Sequence, residues 1–341
     1  MNDLILITGS NGFIGTRVVE SLLKNGCRNI RCFVRPSSKL GQLNEILCRY
    51  KVESQVEIFS GDLSSSVDCA RAAKGVSVIY HLAASFERSV DLVLKNSAQA
   101  TENLLRAFTA HGNPKRFVLV SSFAVYSNIK MKRGSLLDET SPLEDSPKQR
   151  ADAYALGKLK QEEIVRDFGR TQGIPFVVVR PGTVFGPGKR ELTGRIGLRV
   201  AGVFLHVGGS NQLPLTYVEN CADAIVLAGI TPNVDGETFN VVDDDLLTSG
   251  QFLSAYRKRV GGPVTLRLPY FVIYLLCTLC ELGSRWVKRL PAKYNRQHCA
   301  AEWKGNKFSN HKLKERLNWT PRIPMKQAMD SFLAQFGSGS S

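Results

Sequence analysis

The sequence predicts an α/β protein, a doubly wound parallel sheet joined to a smaller C-terminal α/β lobe, on three observations. Short β-branched apolar runs alternate with helical spacings through the first half of the chain, the order that builds a parallel sheet with helices on both faces. The first run, Leu4-Ile5-Leu6-Ile7, passes directly into Thr8-Gly9-Ser10-Asn11-Gly12-Phe13-Ile14-Gly15 and then into Val18, Val19, Leu22 and Leu23 on one helix face. Past residue 181 the alternation loosens into shorter segments, as a smaller lobe requires. We therefore expect a sheet domain over 1–180, to which some later segments return, and a lobe over 181–336. The tail 337–341, Gly-Ser-Gly-Ser-Ser, has the composition of a linker and is left out of the fold.

With 341 residues, 43% of them hydrophobic and 22% charged, the chain can build a large core without covalent staples. Its eight cysteines, Cys27, Cys32, Cys48, Cys69, Cys221, Cys277, Cys280 and Cys299, are scattered and follow no secretory leader, so they read as reduced thiols of a cytoplasmic protein. Cys277 and Cys280 form a C-x-x-C in apolar surroundings without a second pair or a histidine cluster. That favours a buried structural pair, and no metal is expected. The net charge of +15 favours anionic partners: a phosphorylated cofactor, an acidic membrane surface or, last, nucleic acid, for which no motif is present.

The opening turn has the parts of a dinucleotide site. Gly9 turns the chain off the strand, Gly12 keeps no side chain in the way of a pyrophosphate, and Gly15 lets the helix pack close to the sheet. Unsatisfied N–H groups at the helix start then face the phosphates. The spacing is G-x-x-G-x-x-G, which also suits a plain strand-to-helix turn; its position between strand and helix gives it weight. The second strand, 30–34, ends at Arg35. An NAD site keeps an acid about twenty residues past the glycines for the ribose 2′-hydroxyl, whereas a guanidinium pairs with a 2′-phosphate. NADP(H) is therefore expected, with Lys39 as a second contact and NAD(H) as the alternative. A third strand over 56–59 runs into Gly61-Asp62-Leu63, a turn that could carry Asp62 to the adenine edge. The fourth, 76–84, ends in Ala83-Ala84, small enough for a cofactor to approach the backbone, and His81 at its end reads as structural. A helix over 96–110 and a strand over 117–122 ending in Ser121-Ser122 complete this half.

Residues 128–150 are polar and read as a loop. A helix opening at Ala153 and running through Arg166 places Tyr154 and Lys158 one turn apart on one face. An ammonium beside a phenol favours the phenolate, drawing a tyrosine pKa down from about 10. A sixth strand, 176–179, leads into Arg180-Pro181-Gly182-Thr183-Val184-Phe185-Gly186-Pro187-Gly188. Short strands follow over 213–220 and 238–242, with helices over 221–228 and 249–260. Residues 269–283 are almost wholly apolar yet fall short of the roughly eighteen needed to span a bilayer. Basic residues Arg285, Lys288, Arg289, Lys293 and Arg296 come next. Burial of this helix in the lobe is expected ahead of peripheral membrane contact through 269–296.

The glycine turn, HLAA at 81–84, VSS at 120–122, YALGK at 154–158, RPGTVFGPG from Arg180 and Glu315-Arg316-Leu317-Asn318-Trp319-Thr320-Pro321 resemble, nearly end to end, the extended short-chain dehydrogenase/reductase superfamily of NAD-dependent epimerases, dehydratases and dehydrogenases. The resemblance implies a Rossmann domain, and homodimers are common among such proteins. It implies Ser122, four residues before Tyr126, as the catalytic serine, Tyr154 as general acid/base and Lys158 as the residue that tunes it and binds the nicotinamide ribose. The cofactor set that goes with it is Gly9, Asn11, Gly12, Phe13, Ile14, Gly15, Arg35, Asp62, Leu63, Leu82, Ala83, Ala84, Asn96, Tyr154, Lys158, Pro181 and Thr183. Nucleotide-sugar enzymes of the superfamily usually grip the substrate diphosphate with an Asn in R-x-x-N and an Arg in an R-D-Y-I-H-V-like segment. Here Thr183 and Leu213-Pro214-Leu215-Thr216-Tyr217-Val218 stand in those places, and Thr216-Tyr217-Val218-Glu219-Asn220 is closer to the 3β-hydroxysteroid and sterol dehydrogenase branch. The expected activity is hydride transfer between nicotinamide and a hydroxy or keto group of an apolar, lipid- or steroid-like small molecule. A nucleotide-sugar epimerase or dehydratase with tightly held NAD is the alternative, kept open by Lys189, Arg190, Arg195 and Arg199. A cofactor-sensing binding protein is a third class, disfavoured by the joint presence of Ser122, Tyr154 and Lys158.

Overall fold

Apolar runs without polar alternation fold as strands covered on both faces, and this chain supplies them at regular intervals. The computed structural model describes residues 3–87, 89–189, 193–200, 202–262, 264–284 and 294–337. Expectations for Arg190, for Arg285, Lys288, Arg289 and Lys293, and for 338–341 lie outside the described residues. The first half runs β1 (Leu4–Thr8), α1 (Gly15–Lys24), β2 (Ile30–Val34), α2 (Gly41–Tyr50), β3 (Val56–Ser60), α3 (Ser66–Ala73), β4 (Val76–His81), α4 (Val90–Val93), α5 (Ala100–His111), β5 (Arg116–Val120), β6 (Leu136–Leu137), α6 (Ala153–Gln172) and β7 (Phe176–Pro181). The second runs β8 (Thr183–Phe185), β9 (Gly197–Val200), β10 (Val203–Val207), β11 (Leu215–Tyr217), α7 (Val218–Ile230), β12 (Thr238–Val241), α8 (Ser249–Val260), β13 (Thr265–Leu268), α9 (Tyr270–Gly283), α10 (Arg296–Trp303), β14 (Lys307–Phe308), α11 (His311–Leu317) and α12 (Met325–Ala334).

Seven strands form one sheet in the order β12-β7-β5-β4-β1-β2-β3, parallel at every pairing. This is the doubly wound α/β architecture expected from the sequence. Val18, Val19 and Leu22 of α1, Leu43 and Leu47 of α2 and Ile225 of α7 cover one face. Cys69 of α3, Leu104 and Phe108 of α5 and Val165 of α6 cover the other. The order of assembly reverses between β1 and β4, which leaves a crevice at their C-terminal ends. β12 returns from beyond residue 181 to lie beside β7. The remaining segments form a three-stranded sheet, β13-β10-β9, flanked by α8 and α9, and two short pairs, β11-β8 and β14-β6.

Several elements depart from the sequence expectation for identifiable reasons. The strand expected over 76–84 stops at His81, because the N–H groups of Leu82 and Ala83 turn to the carbonyl (3.3 Å) and hydroxyl (3.2 Å) of Thr8. The helix expected from 96 starts at Val90, capped by Ser89, and passes through a π-helical segment, Leu94–Gln99, before α5. Within 128–150, Leu136–Leu137 pairs with β14 from far down the chain, a pairing with no local signal. Only Leu215–Tyr217 of 213–220 is strand, since α7 begins at Val218, and α6 continues past Arg166 until Gly173, at φ +66°, turns it off. The strands β9, β10 and β13 were not expected.

Two larger corrections concern the lobe. The apolar segment 269–283 is helical but not buried: Ile273 and Cys277 pack against Val207, Cys299 and Trp303, while Phe271 stays 71% exposed and Leu275 57%. Only one side of a helix that is apolar all round finds a partner. The expected Cys277–Cys280 pair also gives way, because Cys280 is half-buried and the Cys277 thiol meets that of Cys299 on α10. All eight cysteines are free thiols. No helix among the described residues is long and apolar enough to cross a membrane.

The turn at Gly15 gives a direct test of packing. A Cβ there would stand 2.0 Å from the Gly9 carbonyl oxygen. Gly15→Ala should therefore destabilise by about 1–3 kcal/mol or more through forced backbone movement. Gly41→Ala, where a Cβ meets nothing within 4 Å, should be neutral or stabilising by up to about 1 kcal/mol. Urea denaturation of the two variants checks the contrast.

Candidate active site

Because the sheet is parallel, the C-terminal ends of β1, β2, β3, β4, β5 and β7 open on one edge. The glycine turn after β1, Arg35 after β2, Asp62 after β3, Leu82–Ala84 after β4 and Ser122 after β5 all follow strand ends on that edge. Gly9 adopts φ +70°, and its Cβ position is 3.2 Å from the Ala83 nitrogen, so the HLAA segment and the glycine turn touch backbone to backbone. Gly12 donates its N–H to the Gly9 carbonyl at 3.0 Å and is itself exposed. No side chain caps α1, and its first turn carries no acid. A helix start left open in this way fits the pyrophosphate of a dinucleotide.

Arg35 is exposed at the end of β2, where its N–H meets the Ser38 hydroxyl at 3.1 Å. Asn11 lies between Gly9 and Gly12, with its amide 3.5 Å from the Lys39 carbonyl. Asp62 accepts from the Ser64 N–H at 2.8 Å; that hydrogen bond holds its pKa low, with help from the charges of Lys95 and Arg35. Leu63 packs into the core and receives the Asn103 amide on its carbonyl at 3.2 Å. Asn96 is exposed on the π-helical segment. Pro181 ends β7, and Thr183 starts β8 with its N–H on the Pro214 carbonyl at 2.6 Å. The two segments weighed for substrate recognition are thus partners, with Thr183 in register with Leu215. Gly188 and Lys189 reach back to the glycine turn, the lysine 6.0 Å from the Phe13 ring.

His81, beneath this edge, is fully buried between Thr8 (2.8 Å) and Thr101 (2.9 Å), and burial depresses its pKa to about 3, with Lys158 adding to the effect. It is a structural imidazole.

Ser122, Tyr154 and Lys158 converge where β5 ends. Asp152 caps α6 by accepting the Ala155 N–H, which sets the helix start one residue before Tyr154. The Ser122 hydroxyl accepts the Ala124 N–H at 3.1 Å and lies near enough to the Tyr154 phenol to favour its ionised form. Lys158 is buried and donates from Nζ to the Val120 carbonyl at 2.6 Å. Here the expectation of a phenol drawn down by the lysine is corrected. Burial pushes the Tyr154 phenol up to about 12, the Ser122 hydroxyl opposing and the Asp152 charge adding to the rise. Burial likewise pushes Lys158 down to about 7 against the pull of Glu162. Burial thus opposes the charged form of both groups, and the lysine points at the strand carbonyl that precedes the serines.

Residues outside the sequence expectation hold this arrangement. Glu162, one turn beyond Lys158, accepts from Ser121 Oγ at 2.6 Å and from Arg180 at 2.8 and 2.6 Å. Burial would raise its pKa, but Arg180 holds the carboxyl below the ordinary range. Arg180 also donates to Tyr126 Oη at 2.9 Å, and Tyr126 to Asn240 at 2.7 Å. Gln161 spans Thr101 and the Ala83 carbonyl. The four-residue spacing of Tyr154, Lys158 and Glu162 places the carboxylate on their helix face, but its partners Ser121 and Arg180 had no signal in that spacing. Phe86 had none: its ring is 80% exposed and stacks on Tyr154 at 4.9 Å and 10°. Among cations weighed for a phosphate grip, Arg195 is anchored on the Ala301 carbonyl at 3.0 Å and Lys189 on that of Val184 at 3.2 Å, while Arg199 is exposed on β9.

Sheet order, switch-point crevice and glycine turn define the class, an α/β protein with a dinucleotide-binding fold. Residues 5–241 match the NAD dependent epimerase/dehydratase family, and the chain belongs to it. It is 23% identical over 360 residues to the 3beta-hydroxysteroid-dehydrogenase/decarboxylase isoform 2 of Arabidopsis thaliana, a match covering 97% of this chain and 61% of that protein. It is 30% identical over 254 residues to an uncharacterized UDP-glucose epimerase of Bacillus subtilis, covering 70% and 76%. The solved UDP-glucuronic acid 4-epimerase from Bacillus cereus in complex with NAD shares the fold, with a TM-score of 0.71 at 19% identity over 97% of this chain and 98% of that one. Relatives thus stand on both the steroid-dehydrogenase and the sugar-epimerase sides of the family.

Burial of Lys158 has a consequence for stability. Between pH 7 and the ordinary lysine value of 10.5, the folded protein has released a proton that the unfolded chain keeps. The unfolded state binds more protons there, so this group makes stability rise with pH across that window. Lys158→Met should flatten the rise and gain most near pH 7, as measured by urea denaturation at pH 7 and pH 9.

Proposed function

We propose that this oxidoreductase transfers hydride between a nicotinamide cofactor and a hydroxy or keto group of an apolar, lipid- or steroid-like small molecule, with Ser122, Tyr154 and Lys158 at the reacting oxygen. The observation that carries this reading is the convergence of Ser122, Tyr154 and Lys158 at the end of β5, with Lys158 one turn beyond Tyr154 on α6 and its Nζ on the Val120 carbonyl. Bound along the strand ends, the nicotinamide cofactor supplies or accepts the hydride. Gly9, Asn11, Gly12, Phe13, Ile14 and Gly15 would hold its pyrophosphate, Arg35 a 2′-phosphate, Asp62 and Leu63 the adenine edge, and Leu82, Ala83, Ala84, Asn96, Pro181 and Thr183 the remainder. In the reducing direction Tyr154, protonated because burial raises it to about 12, donates its proton to the substrate oxygen. Ser122 hydrogen-bonds the same oxygen and fixes its distance. Lys158, near half ammonium at about pH 7, stabilises the phenolate left behind.

The apolar substrate class rests on three features. The places where a diphosphate would be gripped carry Thr183 and Leu213-Pro214, Lys189 and Arg195 are held by backbone carbonyls, and Phe86 offers a bare ring over Tyr154. Steroid dehydrogenases among the relatives agree with it. NADP(H) is preferred in this reading because Arg35 replaces the usual acid, and a homodimer is carried with it on the resemblance. The second reading, a nucleotide-sugar epimerase with resident NAD, is favoured by the epimerase relative.

Tyr154→Phe should lower kcat by about 10²–10⁴-fold while leaving cofactor affinity within a few-fold, measured by steady-state kinetics and fluorescence titration. Arg35→Ser should lower kcat/KM with NADPH about tenfold or more and leave NADH turnover unchanged. NAD(H) released on denaturing freshly purified protein, with turnover of UDP-sugars and none of hydrophobic ketones, would overturn the apolar reading in favour of the second.

A further inference from the structure

We propose that the bare face of α9 docks the protein onto an anionic lipid bilayer, lying in the interface plane. Phe271, Leu275, Leu279 and Leu282 form one stripe along the helix, with Leu276 beside it, and all five are exposed. Large apolar patches of this kind mark interaction surfaces. The only charge on α9, Glu281, is neutralised by Arg296, which donates to it from Nε and Nη2 at 3.0 Å each. The neighbouring sheet extends the patch. Leu266 of β13 pairs with Leu205, Leu205 pairs with Leu198, and Leu198 packs under α9, so Leu266, 54% exposed, lies on the same side of the sheet.

The alternate residues of β13, Thr265 and Arg267, face the other side of the sheet, where with His206, Ser254, Arg257 and Lys258 they line a cavity of about 540 Å³. In sequence, α9 is followed over 285–293 by Arg285, Lys288, Arg289 and Lys293 without an acid. An apolar helix followed in sequence by a run of cations, on a chain of net charge +15, matches a surface that is oily below and negative above, as a layer of acidic lipid headgroups is. A second copy of this chain would instead bring another molecule of net charge +15 against the first. The 14 residues of α9 extend about 21 Å, short of the ~30 Å hydrocarbon core, so the helix lies along the interface. This inference stands apart from the catalytic reading, since vesicle binding requires no turnover.

The test is cosedimentation of the full chain with phosphatidylcholine vesicles and with vesicles that also contain phosphatidylserine. Wild type should pellet with the anionic vesicles, less so as salt is raised. Leu275→Glu/Leu279→Glu should cut the bound fraction at least about tenfold, and Phe271→Ser should cut it in the same direction, with thermal melting of both variants close to wild type because the positions are exposed. Failure of wild type to pellet, or equal pelleting of both variants, would overturn the proposal. So would sedimentation velocity showing a wild-type oligomer that these substitutions dissociate, which would assign the face to a second copy.

Discussion

The arrangement at the strand ends depends on one buried ion pair. Glu162 and Arg180 are each almost wholly excluded from water, and together they join α6 to β7 by two charge-assisted hydrogen bonds. Glu162 also takes the Ser121 hydroxyl at the end of β5, and Arg180 takes Tyr126 from the loop that follows Ser122. A long, mostly polar helix has little hydrophobic reason to choose one rotation over its neighbours. Here the choice is made by a carboxylate that must meet its guanidinium. Removing one partner of such a pair commonly costs about 3–5 kcal/mol, because the other charge is left buried alone. The same rotation puts Lys158 under the Val120 carbonyl and Tyr154 against Ser122.

Much of the sheet was legible in the sequence because each parallel strand, buried on both faces, is written as a local apolar run. Strands β1, β2, β3, β5 and β7 fall within a residue or two of where those runs lie. What escaped was decided by partners distant in sequence. β6 and β14 are two residues each and exist only because they meet, and β13 becomes a strand by lying along β10. The end of β4 was misjudged because Thr8 captures the next two N–H groups with its carbonyl and hydroxyl, an event invisible in residues 82–84. For 269–283 the reasoning failed differently. Apolar content implies burial only when enough surface is available to cover it, and α10 covers one side.

The candidate site was legible as a set of residues and less so as chemistry. Position along strand and helix brings Ser122, Tyr154 and Lys158 to one place, but charge state depends on what surrounds them. The sequence argument weighed the attraction between ammonium and phenolate and had no access to the desolvation that opposes both. In the folded protein desolvation is the larger effect for each group: Tyr154 moves up and Lys158 down. Phe86 contributes to that through its stack on the phenol, and nothing in the local pattern after HLAA distinguishes it from an ordinary loop residue.

Desolvation also links the two halves of the functional reading. A tyrosine kept neutral by burial is a proton donor ready for a carbonyl, whereas transfer in the opposite direction needs the phenolate and so depends on the charge of Lys158. That charge is itself marginal near neutrality. In the reading proposed above, reduction would then be the direction least sensitive to pH through the neutral range, and oxidation would respond to the lysine's loss of its proton. An apolar substrate that displaces water from Phe86 and Tyr154 would strengthen both tendencies, since excluding solvent raises the cost of either charge. A sugar diphosphate would bring its own charge and water to the same edge, where Lys189 and Arg195 are already engaged by backbone carbonyls. In the reading proposed above, then, the electrostatics of the site and the chemistry of its rim bear on one and the same choice of substrate.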